Sequence, residues 1–180
     1  MLTFGPIERQ RGVTLIELMI AMAIFALLLG FGVPSYRDWI QSSQIRTAAQ
    51  SILDGLQLAR TEAVRRNSSV QFQLTSLPAT SWTVQDVNAA QVIQSRAGTE
   101  GTPNAQASLN PTAGTNPVTF NGLGRVTSAG VTISVTNPSG GACQSAGGGM
   151  RCLNVVAPVG GQIRLCDPAL PSSNPQSCSY

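Results

Sequence analysis

One ionisable side chain stands inside a long apolar stretch, and any chemistry this chain performs starts there. From Val13 to Val33 the sequence runs twenty-one residues with only Thr14 and Glu17 polar. A carboxylate in such a run costs on the order of a few kcal/mol in hydrocarbon and rarely sits there without a partner. Arg11-Gly12 stands directly before the run and Pro34 directly after it. If the chain is cut after Gly12, Val13 becomes a new N-terminus carrying a positive amine, and Glu17 lies one turn inside the helix. The chemistry predicted is charge neutralisation, with the carboxylate of one subunit facing the amine of a neighbour. Little else is provided. The chain has no histidine, the commonest general base and metal ligand. No residue pair offers a nucleophile with a base, so the reading is not an enzyme, with no catalytic residue, metal or cofactor.

The run that holds Glu17 would cover roughly 30 Å as a helix, the thickness of a bilayer's hydrocarbon core. A secretory signal peptide would need a small-x-small cleavage site after its apolar core. Here Gly32-Val33-Pro34 flows straight into a second helical pattern instead. Beyond Pro34, apolar residues recur at Ile45, Ala48, Ala49, Ile52, Leu53, Leu56, Ala59, Ala63 and Val64, with Arg46, Gln50, Asp54, Gln57 and Arg65 between them. That is one amphipathic stripe at helical spacing, which packs a sheet rather than a cofactor. Arg65 and Arg66 suit the negative end of the helix dipole, and Asn67 is a suitable stop. The predicted helix runs from about 13 to 66. Within it, Pro34 lacks an N–H and its ring clashes with the Gly30 carbonyl, while Gly30 and Gly32 weaken the same turn. Residues 30–34 are therefore a weak point.

After Ser69 the period changes to two. Val70-Phe72-Leu74, Trp82-Val84 and Val131-Ile133-Val135 alternate with polar neighbours, and Leu153–Val156 and Gln162–Cys166 read as two further strands. The fold class is α+β, a long N-terminal helix packed on small antiparallel sheets, with Trp82 and Phe120 as core anchors. Residues 97–117 carry hardly an apolar anchor and read as a long exposed loop. Four cysteines, Cys143, Cys152, Cys166 and Cys178, fall in the last 38 residues, in spacings that match no zinc site. An even count suits two disulfides in an oxidising compartment. Of three connectivities, Cys143–Cys152 and Cys166–Cys178 are preferred because each closes a short loop, contributing about 3 kcal/mol in the chain-entropy model. The tail from Pro168 to Tyr180 is irregular unless Cys178 pins it.

The segment Gly12-Val13-Thr14-Leu15-Ile16-Glu17 and its apolar run resemble the class III signal of type IV pilins and type II secretion pseudopilins. The stretch from Leu56 to Asn67, then Val118 to Arg125, then Gly160 to Asp167, resemble the GspH/FimT group within them. The resemblance implies the type IV pilin fold: a leader (1–12), a transmembrane or filament-core half-helix (13–34) and a periplasmic domain (35–180) pinned by disulfides. Prepilin peptidase would cut between Gly12 and Val13, and Val13 would be N-methylated. Glu17 would act as the assembly charge, and helix 30–34 would be lost in the fibre. Arg9 and Arg11 against Glu8 keep the leader cytoplasmic, and the anchor lies in the bacterial inner membrane until the subunit enters a pilus or pseudopilus. Partners implied are major and minor pilins or pseudopilins, the peptidase and the inner-membrane assembly platform.

The function implied is that of a minor type IV pilin, a structural component of a pilus serving twitching or DNA uptake. The alternatives are the minor pseudopilin H of type II secretion and a pilus-mounted DNA receptor. Some members of the group bind DNA through a Gly-Arg-x-Arg motif in the last hairpin. Here the matching residues are Gly161-Gln162-Ile163-Arg164, so the first arginine is missing. Charge is sparse, 11% of residues and +3 net, carried by arginine without a single lysine. Arg151, Arg164 and Arg125 are the candidate DNA contacts, with Arg151 and Arg164 adjacent across two strands. DNA binding is expected to be weak, since affinity for the phosphate backbone falls with every missing cation. Arg60, Arg65 and Arg66 read as a solvated helix end.

Overall fold

The computed structural model describes residues 12–111, 115–127 and 129–179, apart from the side chains of 31–35. One helix, α1 (Leu15–Arg66), precedes eight strands: β1 (Val70–Leu74), β2 (Trp82–Asp86), β3 (Val92–Arg96), β4 (Gln106–Asn110), β5 (Val118–Phe120), β6 (Val131–Thr136), β7 (Leu153–Ala157) and β8 (Arg164–Cys166). The chain divides into two compact units, Met1–Arg37 and Asp38–Tyr180. The helix assignment runs unbroken through Gly30, Gly32 and Pro34. The ring of Pro34, on which the weak point chiefly rests, lies outside the described side chains, and the leader up to residue 11 lies outside the described residues.

The second unit contains two antiparallel sheets, with strand orders β3-β2-β1-β5 and β4-β6-β7-β8. Alternation of buried and half-buried residues along β1, β2 and β6 follows the period-two pattern of the sequence. Their inner residues join the α1 stripe in one apolar cluster: Ile45, Ile52 and Leu56 from the helix, Phe72, Trp82 and Val84 from the first sheet, Ile133, Val135 and Val155 from the second. The stripe is rich in small residues, Ala48, Ala49, Ala59 and Ala63, which lets backbone approach backbone. Gly55 is the extreme case, since a Cβ there would stand 2.7 Å from Phe72 Cε2 and 3.1 Å from Trp82 Cε2. Trp82 is buried with its ring 5.7 Å from that of Phe72, and its indole N–H donates to Ser51 Oγ at 2.9 Å. The buried polar edge of the tryptophan is thus satisfied from the helix. Phe120 is fully buried, a core anchor like Trp82. One stripe position departs from the pattern: Val64 is 51% exposed although Ala63 beside it is fully buried, because Val64 falls on the side of the helix that carries the exposed Gln57 and Arg60.

Asn67 ends the helix in the left-handed region at φ 47°. Its N–H donates to the Val64 carbonyl and that of Ser68 to the Ala63 carbonyl, the paired bonds of a Schellman cap. At the far end of β1, Asn116 completes the ladder where Pro117 has no N–H to give. Its side-chain amide accepts from Leu74 N at 3.0 Å and donates to Leu74 O at 2.9 Å.

Residues 97–117 are not the exposed loop expected from composition. β4 lies within them, and Ala105, Ala107 and Leu109 are buried at two-residue spacing. The anchors are too small to stand out, and hydroxyls do the rest: Thr102 Oγ1 donates to the Gly98 carbonyl at 2.8 Å and lies 3.3 Å from Thr80 Oγ1. Residues 112–114 lie outside the described residues. The last strand is also shorter than the sequence pattern, starting at Arg164, because Gly161 (φ 77°) turns the chain just before it. Both disulfides pair as the short-loop reading prefers, Cys143–Cys152 and Cys166–Cys178, with Cα–Cα distances of 5.5 and 4.9 Å. Asp167 forms a bridge with Ser177, so the tail is held at its far end as well.

Gly55 yields a prediction with an unusual sign. Gly55→Ala should improve helix propensity by about 1 kcal/mol, yet the new methyl meets two packed rings, and overpacking costs about 1–3 kcal/mol. The variant is expected to melt lower than the parent. A higher Tm would show that the rings move aside.

Candidate assembly site

The region around Glu17 begins with three residues in no regular structure, Gly12, Val13 and Thr14, followed by the first turn of α1. Gly12 and Val13 are exposed, and no heavy atom lies within 4 Å of a Cβ built on Gly12. The Gly12–Val13 peptide therefore sits in open, non-helical backbone at the helix entrance. Thr14 caps the helix: its carbonyl accepts from Leu18 N at 3.1 Å, and its Oγ1 accepts from Glu17 N at 3.3 Å. Thr14-Leu15-Ile16-Glu17 has the spacing of a capping box, with an acid at the third helical position. Sequence reasoning treated Thr14 as a polar exception in the run and missed its role, although the Thr-x-x-Glu spacing signals it. The same turn places the Glu17 carboxylate where the positive end of the helix dipole favours an anion.

Around Glu17 the apolar side chains of this turn and the next three are uncovered on every side. Leu15, Ile16, Leu18, Met19, Ile20, Met22, Ile24, Phe25, Leu27, Leu28 and Leu29 are all about half exposed or more. Burying one such side chain is worth about 1.5–3 kcal/mol, so a surface of this extent demands a cover from outside the chain. Among the described residues no helix is long and apolar enough to cross a membrane. The described side chains of this stretch end at Gly30, with 31–35 outside them.

At the other end of α1, the arginines expected to be solvated are partly engaged. Glu62 accepts from Arg65 Nε at 3.0 Å and Nη2 at 2.6 Å, and from Arg66 Nε at 2.8 Å. Arg66 Nη1 also lies 3.7 Å from the buried carboxylate of Asp86, at the end of β2. This chain of charges ties the helix end to the first sheet. The hydrogen bonds from Arg65 and then Arg66 hold the Glu62 pKa down at about 2. The Asp86 carboxyl also titrates below its usual range, chiefly because Ala89 N–H donates to it, with Asn88 N–H, Ser68 Oγ and the Arg66 charge adding to the effect. Glu62 and Asp86 were not singled out in the sequence; the Glu62–Arg65–Arg66 spacing was the available signal.

The three arginines expected to meet DNA are not brought together as the sequence suggested. Arg151 lies just before β7 and its Nε is 2.5 Å from Asp167 Oδ2, an acid almost fully buried. Arg164 stands opposite Val156, towards the end of β7 away from Arg151. It donates instead to the Cys178 carbonyl at 3.2 Å. Arg125 belongs to the turn after β5, where a Cβ on Gly161 would lie 3.6 Å from its Cα. The register of β7 and β8 separates Arg151 from Arg164, and Asp167 neutralises the former. Among the described residues no cluster of three or more metal-binding side chains occurs.

Comparison with known proteins adds two sequence matches. Residues 48–157 match the family described as type II transport protein GspH, and residues 8–33 match the prokaryotic N-terminal methylation motif. Curated relatives include the type IV major fimbrial protein FimA of Dichelobacter nodosus, 45% identical over 49 residues. That match covers 27% of this chain and only 30% of the relative. Among solved structures, the type IV minor pilin FimU of Pseudomonas aeruginosa superposes with a TM-score of 0.52 at 21% identity, over 74% of this chain and 98% of that one. The minor pseudopilin EpsH of the Vibrio cholerae type 2 secretion system superposes with a TM-score of 0.53 at 17% identity, over 71% and 99%. At these identities the likeness is one of fold.

The charge chain at the end of α1 fixes how stability follows pH. The Glu62 pKa lies below its ordinary 4.5, so its contribution is complete above that pH and is lost as pH falls towards about 2. Asp86 shifts in the same direction and acts in the same acid range. Melting temperature should fall on acidification below about pH 4.5, and Glu62→Gln should melt lower at pH 7 while flattening that acid slope. An unchanged slope in Glu62→Gln would assign the acid sensitivity to other groups.

Proposed function

This chain belongs to the type II transport protein GspH family, and we propose that it serves as a minor pilin, a structural subunit that enters a type IV pilus through its N-terminal helix. One observation carries the reading: a single continuous helix, α1, runs from a methylation motif into the core of a GspH domain. The same segment gives one end to the membrane or fibre and the other to a folded domain. In this reading residues 13–34 are the inner-membrane anchor before assembly, and residues 35–180 the periplasmic domain. Prepilin peptidase cuts the exposed Gly12–Val13 bond, and Val13 is then N-methylated. Glu17 meets the amine of a neighbouring subunit, which offsets the cost of burying its carboxylate in an apolar fibre core. Loss of helix around Gly30, Gly32 and Pro34 on packing, other pilins as neighbours and an inner-membrane assembly platform complete the proposal.

A second reading, the minor pseudopilin of a type II secretion machine, is favoured by the description of the family itself. A deletion strain scored for piliation and for protein secretion separates the two. Duplex DNA is at most a weak ligand here, because Arg151 is held by Asp167 and lies away from Arg164. A mobility-shift titration should give affinities no better than roughly micromolar, fading as salt rises.

Intact-mass analysis of the mature protein should find Val13 first and methylated. A mature chain beginning near Pro34, or an uncut leader, overturns the processing step. Glu17→Ala should still be inserted and processed, with the domain's Tm unmoved, yet be depleted from sheared fibres. Incorporation equal to the parent would make the carboxylate incidental.

A further inference from the structure

Two sheets have four edge strands, and an open edge is a template for pairing with another chain. Three of the four are covered by other parts of this chain. Beside β5, Thr127 N donates to the Thr119 carbonyl and Asn121 N to that of Arg125. Beside β4, Ala79 bridges Gln106, and Ala107 N donates to the Pro78 carbonyl at 2.7 Å. Beside β8, the tail returns over the edge: Asp167, just past the strand, bridges Ser177, the Arg164 side chain donates to the Cys178 carbonyl, and Cys166 is bonded to Cys178. β3 is different. Its outer side has no backbone partner among the described residues, it carries no proline or lysine to discourage pairing, and its register shift against β2 falls at its start, leaving Gln94–Arg96 regular.

What lies beneath that edge selects the partner. Arg96 stands opposite Trp82 and Gln94 opposite Val84, so both project from the face of the sheet that is turned to α1. Arg96 there lines a recess of about 410 Å³ with Arg46, Gln50 and Asp54 of the helix. Arg46 has no ion pair among the described residues, and Arg96 has only the largely exposed Glu100 at 3.8 Å. Asp54 is occupied by Gln50 Nε2 at 2.9 Å. With Glu100 beside Arg96 and Asp54 taken by Gln50, Arg46 is the guanidinium of the recess left without an ion pair among the described residues.

We propose that β3 is a docking edge for an extended segment of a different subunit, added as a fifth strand to the sheet, with an Asp or Glu side chain projecting into the recess between Arg46 and Arg96. A strand added beside β3 extends the sheet over this recess, and alternate side chains of the newcomer face it. A second copy of this chain fits poorly. Among the described residues its open edge is again β3, which carries Arg96 and no acidic side chain to offer.

The inference rests on assembly into a fibre, and the test keeps the two apart. Hydrogen exchange of the full chain, solubilised from membranes and again within sheared fibres, reads the amides of Val92–Arg96. The outward amides are expected to exchange fast in the free subunit and to become protected in the fibre. Arg46→Glu, on an exposed helix face, should leave Tm unchanged and lower recovery in fibres by about tenfold or more, as truncated charge pairs at interfaces do, while Arg46→Lys keeps recovery near the parent. A subunit that never enters fibres overturns the function proposed above. A subunit that enters them with β3 amides unprotected, or with Arg46→Glu recovered like the parent, overturns the docking edge alone.

Discussion

The second unit depends on one constraint: two sheets share a single helical stripe barely wider than its own backbone. Ala48, Ala49, Gly55, Ala59 and Ala63 keep that stripe narrow, and Ile45, Ile52 and Leu56 supply its apolar bulk. Large residues then come from the sheets, Phe72 and Trp82 in particular. The division of labour explains why Trp82 reaches Ser51 for its hydrogen bond. The ring lies between Phe72 of the sheet, which offers no acceptor, and the helix, whose Ser51 supplies one.

The ends of α1 are managed by charge in opposite ways. At the start, Thr14 closes the first turn and leaves Glu17 as an acid at the positive end of the dipole. At the finish, Glu62 gathers two arginines, and one of them reaches Asp86 on the first sheet. The first charge has no cation supplied by the described residues and so looks outward. The second is satisfied within the domain and so serves stability. Both are glutamates on one helix, and surroundings alone divide their work.

The helix, the period-two strands and the disulfide pairs were legible in the sequence because each rests on local spacing. Asn67 was legible as a stop for the same reason, and the structure adds the Schellman bonds. β4 was not legible. Its anchors are two alanines and a leucine in a stretch of Gly, Thr, Pro and Asn, and only the pairing with β6 makes them inward-facing. The separation of Arg151 from Arg164 was hidden as well, since a strand register depends on where the preceding turn falls. Here Gly161 sets it. The capping role of Thr14 was written in the spacing but masked by the apolar run around it.

Both disulfides are local, closing nine and twelve residues, and the first cysteine comes only after β6. A chain made from its N-terminus therefore has α1 and six strands available before any thiol exists to oxidise. All four thiols lie in the remaining segment, from Cys143 onward. With such short loops, each thiol's nearest competitor is its correct mate. Each bridge is thus confined to its own short segment, and neither draws on the cysteines of the other.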